Sequence, residues 1–173
     1  PKRCGHLDDK RVVTTEEMAR KIHAATDART DDDFTIIART DALAVTGWDD
    51  TLRRAEAYVA AGADVLFIEA IQTPEQAAYL TSHFDVPLLY NFVETGKSPL
   101  FSAPELESLG FKIVIYPVSA LLTITKVVGE LMHELSAKGT TAGFMPDRMV
   151  SLQECFDTMG LSNMLAIDSS YAN

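Results

Sequence analysis

The chain begins with the segment PKRCGH, in which a cysteine follows two basic residues and precedes a Gly-His pair. Neighbouring positive charge lowers the pKa of a thiol, so Cys4 is a candidate for donating or accepting a proton near neutral pH. His6 is a candidate partner that sets the protonation of this thiol, and Gly5 lets the backbone approach a ligand closely. No second Cys or His stands at zinc-binding spacing. On spacing alone, a catalytic thiol and an ordinary free cysteine in a loop both stay open.

Four apolar runs typical of buried strands end in residues that do not belong in a core. The runs are FTIIARTDA (34–42), DVLFIEA (64–70), PLLYNFVE (87–94) and FKIVIYPVS (111–119). Their final residues are Arg39-Thr40-Asp41, Glu69, Asn91 with Glu94, and Pro117 with Ser119. In parallel α/β proteins the carboxyl ends of the strands form one rim where ligands bind. We therefore predict a ligand site at this rim, the alternative being a set of ordinary rim salt bridges.

Amphipathic segments with helix-capping signals separate these runs. They cover residues 11–29, 48–63, 73–84, 102–110 and 120–139. Thr14 or Thr15 is expected to cap the first helix and Thr73 the third, where Pro74 occupies the first helical position. Buried strands that alternate with helices predict a parallel sheet with βαβ crossovers.

The number of βα units predicts an incomplete barrel. Four such units are half of a (β/α)8 TIM barrel, which typically needs about 250 residues, whereas the chain has 173. The predicted fold class is therefore α/β, with residues 1–144 forming the second half of a (β/α)8 barrel that begins at the PKRCGH loop. Residues 145–173 are expected to form one or two extra C-terminal helices, whose apolar residues at helical spacing are too many for a solvated tail.

The composition excludes several other classes of protein. The net charge of −10 disfavours nucleic-acid binding, which needs a basic face. No apolar run approaches the roughly 20 residues of a membrane span, and no signal peptide is evident. Two cysteines, Cys4 and Cys155, give no disulfide framework, so a reduced, cytoplasmic protein is expected.

The order of the motifs resembles a known family. PKRCGH, then IIARTDA, FIEA, a YNFVE-GK-P loop and a long helix after IYPVSA, resembles the isocitrate lyase / phosphoenolpyruvate mutase superfamily. The match runs over nearly the whole chain and favours the methylisocitrate lyase / 2,3-dimethylmalate lyase branch. The resemblance implies an Mg²⁺-dependent carbon-carbon lyase that cleaves a small 2-hydroxy di- or tricarboxylate into a 2-oxo acid and a carboxylate.

The resemblance also implies roles for individual residues. Cys4 would be the catalytic acid on a flexible loop, with His6 as its partner. The residues implied in substrate binding are Gly5, Arg39, Glu69, Asn91, Phe92, Val93 and Pro117. The direct Mg²⁺ ligands are expected upstream of Pro1, and Glu69 would reach the metal through water. Segment 145–173 would pack on a neighbouring subunit of a homotetramer.

Substrate choice within the family depends on a few positions. Methylisocitrate lyases carry two further arginines for an extra carboxylate, and Leu122 and Ser151 occupy the matching positions here. This favours a smaller, malate-type dicarboxylate. Pro117 matches the lyase pattern, whereas oxaloacetate-hydrolysing relatives tend to have serine there. The alternatives are an oxaloacetate-processing or carbon-phosphorus mutase or hydrolase member of the superfamily, and a non-catalytic half-barrel.

Overall fold

The computed structural model describes residues 9–171, so Cys4, Gly5 and His6 lie outside the described residues. The chain divides into two compact units at the Ser119–Ala120 boundary, which we call the sheet unit and the helical unit. This boundary is not the division predicted from the sequence, which separates a half-barrel (1–144) from a C-terminal extension (145–173). That division stays a prediction.

The sheet unit contains the predicted parallel sheet. Its strands within residues 9–119 are β1 (Ile37–Thr40), β2 (Val65–Ile68), β3 (Leu88–Asn91) and β4 (Ile113–Ile115). They lie in the order β1-β2-β3-β4, and each neighbouring pair is parallel. Each strand is joined to the next by a crossover that contains a helix, as parallel neighbours require. The carboxyl ends of the strands consequently lie along one edge.

The first strand is shorter than the predicted run over 34–42. Phe34 is exposed and its N–H donates to the Asp31 carbonyl, so the chain is still turning there. After Thr40 the chain enters a 3-10 turn, Ala42–Ala44. The Ala42 carbonyl accepts from the N–H groups of Val45 and Gly47, which ends the strand.

The helices of the sheet unit begin and end near the predicted signals. Within its described part they are α1 (Thr15–Ala28), α2 (Trp48–Ala60), α3 (Pro74–His83) and α4 (Ala103–Ser108). Thr14 Oγ1 accepts from the Glu17 N–H at 3.1 Å, and Thr73 Oγ1 accepts from the Gln76 N–H at 3.2 Å. These hydrogen bonds satisfy N–H groups that have no partner inside the helix. The predicted caps are therefore confirmed.

The two faces of the sheet have different surroundings. One face, which we call the outer face, packs against helices α1 to α4 through Ala38, Leu66, Ile68, Leu88 and Tyr90, which belong to the main core. The opposite face, which we call the inner face, carries a smaller apolar cluster of Val65, Phe67 and Leu89, against which Ile113 and Ile115 pack. Because side chains alternate along a strand, Arg39 lies on the inner face beside Phe67.

The helical unit corrects one prediction. Segment 145–173 was expected to form one or two helices, but its described part contains three: α6 (Met145–Arg148), α7 (Leu152–Thr158) and α8 (Leu161–Tyr171). They follow the long helix α5 (Ser119–Lys138). The extra break falls at Gly160, whose φ of 78° is unfavourable for other residues and ends α7. Within residues 9–171, no helix is both long and apolar enough to cross a lipid bilayer.

Candidate active site

Arg39 lies near the carboxyl end of β1, with its guanidinium held by neighbouring groups. Its Nε donates to Asp41 Oδ1 at 2.8 Å, and its Nη2 donates to Asp41 Oδ2 at 3.3 Å. The guanidinium carbon lies 4.8 Å from the centroid of the Phe67 ring, which is a cation–π distance. The Arg39 side chain is 32% exposed, so a ligand at the rim can reach it.

Glu69 follows β2 directly and is almost completely buried, with 1% of its side chain exposed. Its Oε2 accepts an ion-pair contact from Arg39 Nη2 at 2.7 Å. Its Oε1 accepts from the N–H of Ala70 at 3.0 Å. Ala70 adopts a φ of 60°, a conformation that costs energy for a residue with a Cβ atom. The carboxylate is thus held by a side chain on β1 and by its own strained turn.

Asn91 is the last residue of β3 and lies beside Glu69. Its Nδ2 lies 3.2 Å from Glu69 Oε2 and 3.4 Å from Oε1. Its Oδ1 is buried and has no hydrogen-bond partner among the described residues. A buried amide oxygen without a donor is costly, so Asn91 presents an acceptor suited to a hydroxyl or an N–H of a ligand. The structure therefore brings together three of the predicted site residues, Arg39, Glu69 and Asn91.

The remaining predicted residues of the rim have local partners. The Phe92 N–H donates to the Ile115 carbonyl at 2.9 Å, and the Val93 carbonyl accepts from the Gly96 N–H at 3.1 Å. The first bond engages the Phe92 N–H with the backbone of β4, and the proposed part of Phe92 and Val93 in substrate binding stays a prediction. Pro117 follows β4 and is exposed.

Two residues near Arg39 were not selected as site residues from the sequence. Asp41 holds Arg39, and the Nζ of Lys10 lies 3.7 Å from Asp41 Oδ2, with 6% of the Lys10 side chain exposed. The spacing Arg39-Thr40-Asp41 at a strand end could have indicated the contact of Asp41 with Arg39, because side chains at i and i+2 lie on the same face of a strand. The ion pair of Lys10 joins positions 31 residues apart, and no local pattern indicates it.

A cavity of about 1230 Å³ opens beside this cluster. Glu69 and Asn91 are not among the described residues that line it. Basic side chains predominate among the described charged lining residues, which are Asp9, Lys10, Arg11, Lys21, Arg39, Asp41 and Arg54. Four of the five basic side chains also contact carboxylates: Lys10 contacts Asp41, Arg39 contacts Asp41 and Glu69, Arg54 contacts Asp50, and Lys21 contacts Glu17. Cationic side chains held at the end of a strand in this way suit a small anionic ligand.

The described residues do not form a metal centre by themselves. Among them, no group of three or more His, Cys, Asp or Glu side chains could hold a metal ion. Glu69 is engaged by Arg39, Asn91 and Ala70. We therefore derive no catalytic step through a metal bound directly by these residues.

Comparisons with known proteins agree with these features. The family model of phosphoenolpyruvate phosphomutase, PEP mutase, matches residues 3–136. The 2,3-dimethylmalate lyase of Eubacterium barkeri is 42% identical over 172 residues, which cover 99% of this chain and 59% of that protein. The 2-methylisocitrate lyase of Escherichia coli (strain K12) is 41% identical over 158 residues, covering 91% of this chain and 53% of that protein. The chain thus spans little more than half the length of these relatives.

Solved structures give the same coverage. The crystal structure of 2,3-dimethylmalate lyase matches with a TM-score of 0.87 and 35% identity, covering 99% of this chain and 57% of that one. Oxaloacetate acetylhydrolase in complex with the inhibitor 3,3-difluorooxalacetate matches with a TM-score of 0.86 and 35% identity, covering 98% and 57%. Phosphonopyruvate hydrolase in complex with oxalate and Mg²⁺ matches with a TM-score of 0.77 and 30% identity, covering 98% and 61%.

Proposed function

Since the chain belongs to the phosphoenolpyruvate mutase / isocitrate lyase superfamily, we propose that it carries part of the active site of a carbon-carbon lyase. The proposed reaction cleaves a 2-hydroxy dicarboxylate of the 2-alkylmalate type into a 2-oxo acid and a carboxylate. The observation that carries this proposal is the contact of Arg39, Glu69 and Asn91 at the carboxyl ends of three neighbouring strands.

Arg39 is assigned to the carboxylate of the 2-oxo acid portion. A guanidinium donates from three nitrogens, and here Nε and Nη2 contact Asp41 and Glu69. Nη1 is therefore the nitrogen that we assign to the substrate carboxylate. The position of Arg39 at the rim, with about a third of the side chain exposed, suits a ligand that enters from the cavity.

Glu69 and Asn91 are assigned to orientation of the substrate. The Glu69 carboxylate holds Arg39 and Asn91 in fixed positions. The buried Oδ1 of Asn91 is an acceptor for a donor group of the ligand, and Phe92 and Val93 follow it along the chain. Groups that are held before the substrate arrives need little reorganisation during the reaction.

Cys4 is assigned the role of general acid, with His6 as its partner. In a retro-aldol cleavage a base removes the proton of the 2-hydroxyl, the new C=O bond forms, and the C–C electron pair leaves on the carboxylate fragment. The resulting carbanion needs a proton, which the Cys4 thiol would donate. The basic residues and His6 around Cys4 support this role.

Mg²⁺ is part of the proposal, with its direct ligands outside residues 9–171. A divalent cation would stabilise the developing negative charge on the 2-oxo acid oxygen. The phosphonopyruvate hydrolase that contains oxalate and Mg²⁺ supports this for the superfamily. Glu69 is the residue of this chain that we assign to contact the metal through water.

We further propose that the sheet is half of a (β/α)8 barrel. Its inner face is apolar around Phe67 and Leu89, and Ile37 on β1 is exposed. Strands of a closed barrel bury this face. A homotetramer in the cytoplasm is the expected assembly, since the family resemblance implies a tetramer and the cysteines give no disulfide framework.

The proposed preference for a dicarboxylate over a tricarboxylate is supported by two uncharged residues, Leu122 and Ser151. Leu122 is exposed and apolar, and Ser151 caps α7 by accepting from the Glu154 N–H at 3.1 Å. Neither residue can pair with a third carboxylate as an arginine does. A dicarboxylate such as an alkylated malate is therefore favoured over a tricarboxylate.

The experiment that tests this function measures substrate loss and product formation by the full-length protein, with and without Mg²⁺. The products followed are pyruvate or glyoxylate from a 2-hydroxy acid, oxalate and acetate from oxaloacetate, and pyruvate with phosphate, or phosphoenolpyruvate, from phosphonopyruvate. The panel contains 2-alkylmalates, 2-methylisocitrate, oxaloacetate and phosphonopyruvate. We expect Mg²⁺-dependent turnover of a 2-alkylmalate. Turnover of oxaloacetate alone would support an oxaloacetate-processing enzyme, and turnover of phosphonopyruvate alone would support carbon-phosphorus chemistry. No turnover of any panel member would support a non-catalytic protein.

A further inference from the structure

We propose that Asp41 is a positioning residue that fixes the guanidinium of Arg39 for the substrate carboxylate. This inference rests on the proposed function and adds a residue to it. Asp41 contacts Arg39 through both carboxylate oxygens, with Nε–Oδ1 at 2.8 Å and Nη2–Oδ2 at 3.3 Å.

The geometry of these two contacts defines the plane of the guanidinium. A single contact, such as that of Nη2 with Glu69, leaves the group free to rotate about one hydrogen bond. A side-on fork through Nε and Nη2 removes this freedom because it fixes two nitrogens at once. The Phe67 ring, 4.8 Å from the guanidinium carbon, covers one face of the plane. Together, Asp41 and Phe67 determine the direction in which Arg39 presents its donors.

Asp41 lies beside two cationic side chains, Arg39 and Lys10. Asp41 and Glu69 are two carboxylates that lie against one guanidinium, which would leave an excess negative charge near an anionic ligand. The ammonium of Lys10, 3.7 Å from Asp41 Oδ2 and almost fully buried, compensates that charge. Each of the two carboxylates therefore lies beside a cationic group, which reduces the repulsion that Asp41 adds for an anionic substrate.

A merely structural ion pair at the rim would have a different signature. It would change the stability of the sheet unit and leave the Michaelis constant of the folded enzyme unchanged. A positioning residue instead acts through Arg39, so its effect on substrate binding disappears when the guanidinium itself is removed. A double-mutant cycle between Asp41 and Arg39 separates these two roles.

The test uses full-length protein with Mg²⁺ present and four forms: wild type, Asp41→Asn, Arg39→Lys and the double variant. The measurements are KM and kcat for the best panel substrate, the Kd of oxalate by calorimetry, and the urea midpoint as a check of folding. Asp41→Glu, which keeps the charge on a longer side chain, is the conservative variant, and Asp41→Ser replaces Asp41→Asn in the cycle if the latter does not fold. Glu56→Gln is the matched control, because it removes an exposed carboxylate that contacts His83 at 3.2 Å and does not line the cavity among the described residues.

We expect Asp41→Asn to raise KM and the Kd of oxalate about 10-fold with kcat within about 3-fold, since ground-state and transition-state binding are lost equally. Asp41→Glu should keep KM and the Kd of oxalate close to the wild-type values. Neither substitution should add to the effect of Arg39→Lys on these two quantities. Unchanged KM and oxalate affinity in folded Asp41→Asn or Asp41→Ser, or effects that add fully to those of Arg39→Lys, would overturn the proposal. A wild type that binds oxalate without cleaving any diacid refutes the proposed reaction, and the oxalate cycle then decides the role of Asp41. A wild type that does neither overturns both.

Discussion

Arg39 and Glu69 form an ion pair across neighbouring parallel strands, with Nη2 and Oε2 2.7 Å apart. Glu69 is almost completely buried, and a buried carboxylate requires a partner because burial removes its hydration. Arg39 therefore stabilises the buried charge of Glu69, and Glu69 in turn holds the guanidinium at the rim. This double role determines what a substitution of Arg39 should do.

Arg39→Lys should impair substrate binding while retaining a positive charge near Glu69. An ammonium cannot reproduce the two-point contact of a guanidinium with a carboxylate. A lost charge-assisted contact is worth roughly 1.5–3 kcal/mol, which corresponds to about a 10- to 100-fold fall in kcat/KM. Steady-state kinetics on the best panel substrate measure this effect.

Arg53→Lys is the control, because Arg53 is an exposed arginine that contacts Asp50 on α2. Equal kinetics for wild type and Arg39→Lys would reduce Arg39 to a structural residue.

Cys4→Ser should lower turnover by at least ~10²-fold, the usual size of a lost general acid. A serine hydroxyl is a much weaker acid than a thiol, so it cannot protonate the leaving carbanion near neutral pH. Thermal unfolding should change little, because the PKRCGH segment precedes the elements that form the core. Cys155→Ser, on the exposed cysteine of α7, controls for the loss of a thiol elsewhere. If Cys4→Ser turns over at the rate of the wild type, Cys4 is not the acid.

Asp50→Asn should destabilise the protein at neutral pH but not at low pH. The hydrogen bond from Arg54, followed by that from Thr46, lowers the pKa of Asp50 from 3.8 to about 2. Because the folded-state pKa lies below the unfolded one, the stabilisation is complete above about pH 4.5 and is lost as the pH falls towards 2. The shift corresponds to roughly 2 kcal/mol for this carboxylate.

Urea unfolding at pH 7 and at pH 2.5 measures this difference between wild type and Asp50→Asn. The gap in unfolding free energy should be present at pH 7 and should shrink at pH 2.5. Asp49→Asn removes a neighbouring exposed carboxylate in the same first turn of α2, and it controls for the helix dipole. A gap of the same size at both pH values would show that the charge of Asp50 is not what stabilises the folded state.

Much of the fold was predictable from the sequence because its signals are local. The caps Thr14 and Thr73 and the alternation of apolar runs with helices depend on residues a few positions apart. The length of β1 was not predictable, because its end depends on the turn in which the Ala42 carbonyl accepts several N–H groups. The extra helix of the C-terminal segment was missed because Gly160 was not recognised as a break.

The candidate site was predictable in composition but not in its contacts. Polar residues at strand ends predicted that Arg39, Glu69 and Asn91 share a rim, since parallel strands bring their carboxyl ends together. Which nitrogen contacts which oxygen depends on strand register and side-chain rotamers, which sequence spacing does not determine. The partner of Lys10 could not be inferred, because an ion pair with Asp41 joins residues brought close only by the fold.

The C-terminal segment should mediate assembly with another copy of the chain. Its described part exposes many large apolar side chains, among them Leu152, Phe156, Met159, Met164 and Ile167. Exposed apolar clusters of this kind mark interaction surfaces, because a protein gains stability when they leave water. We expect a neighbouring subunit to cover them, as the family resemblance implies for residues 145–173.

Deleting residues 145–173 should therefore reduce the oligomer to smaller species, as measured by light scattering coupled to size exclusion. The double variant Leu152→Glu/Met159→Glu should act in the same direction without removing the segment, since buried carboxylates without partners oppose association. Asn163→Glu adds a carboxylate at an exposed polar position of α8 and should leave the mass unchanged. If the truncated protein stays folded and keeps its full oligomeric mass, the segment packs on its own chain and the assembly proposal fails.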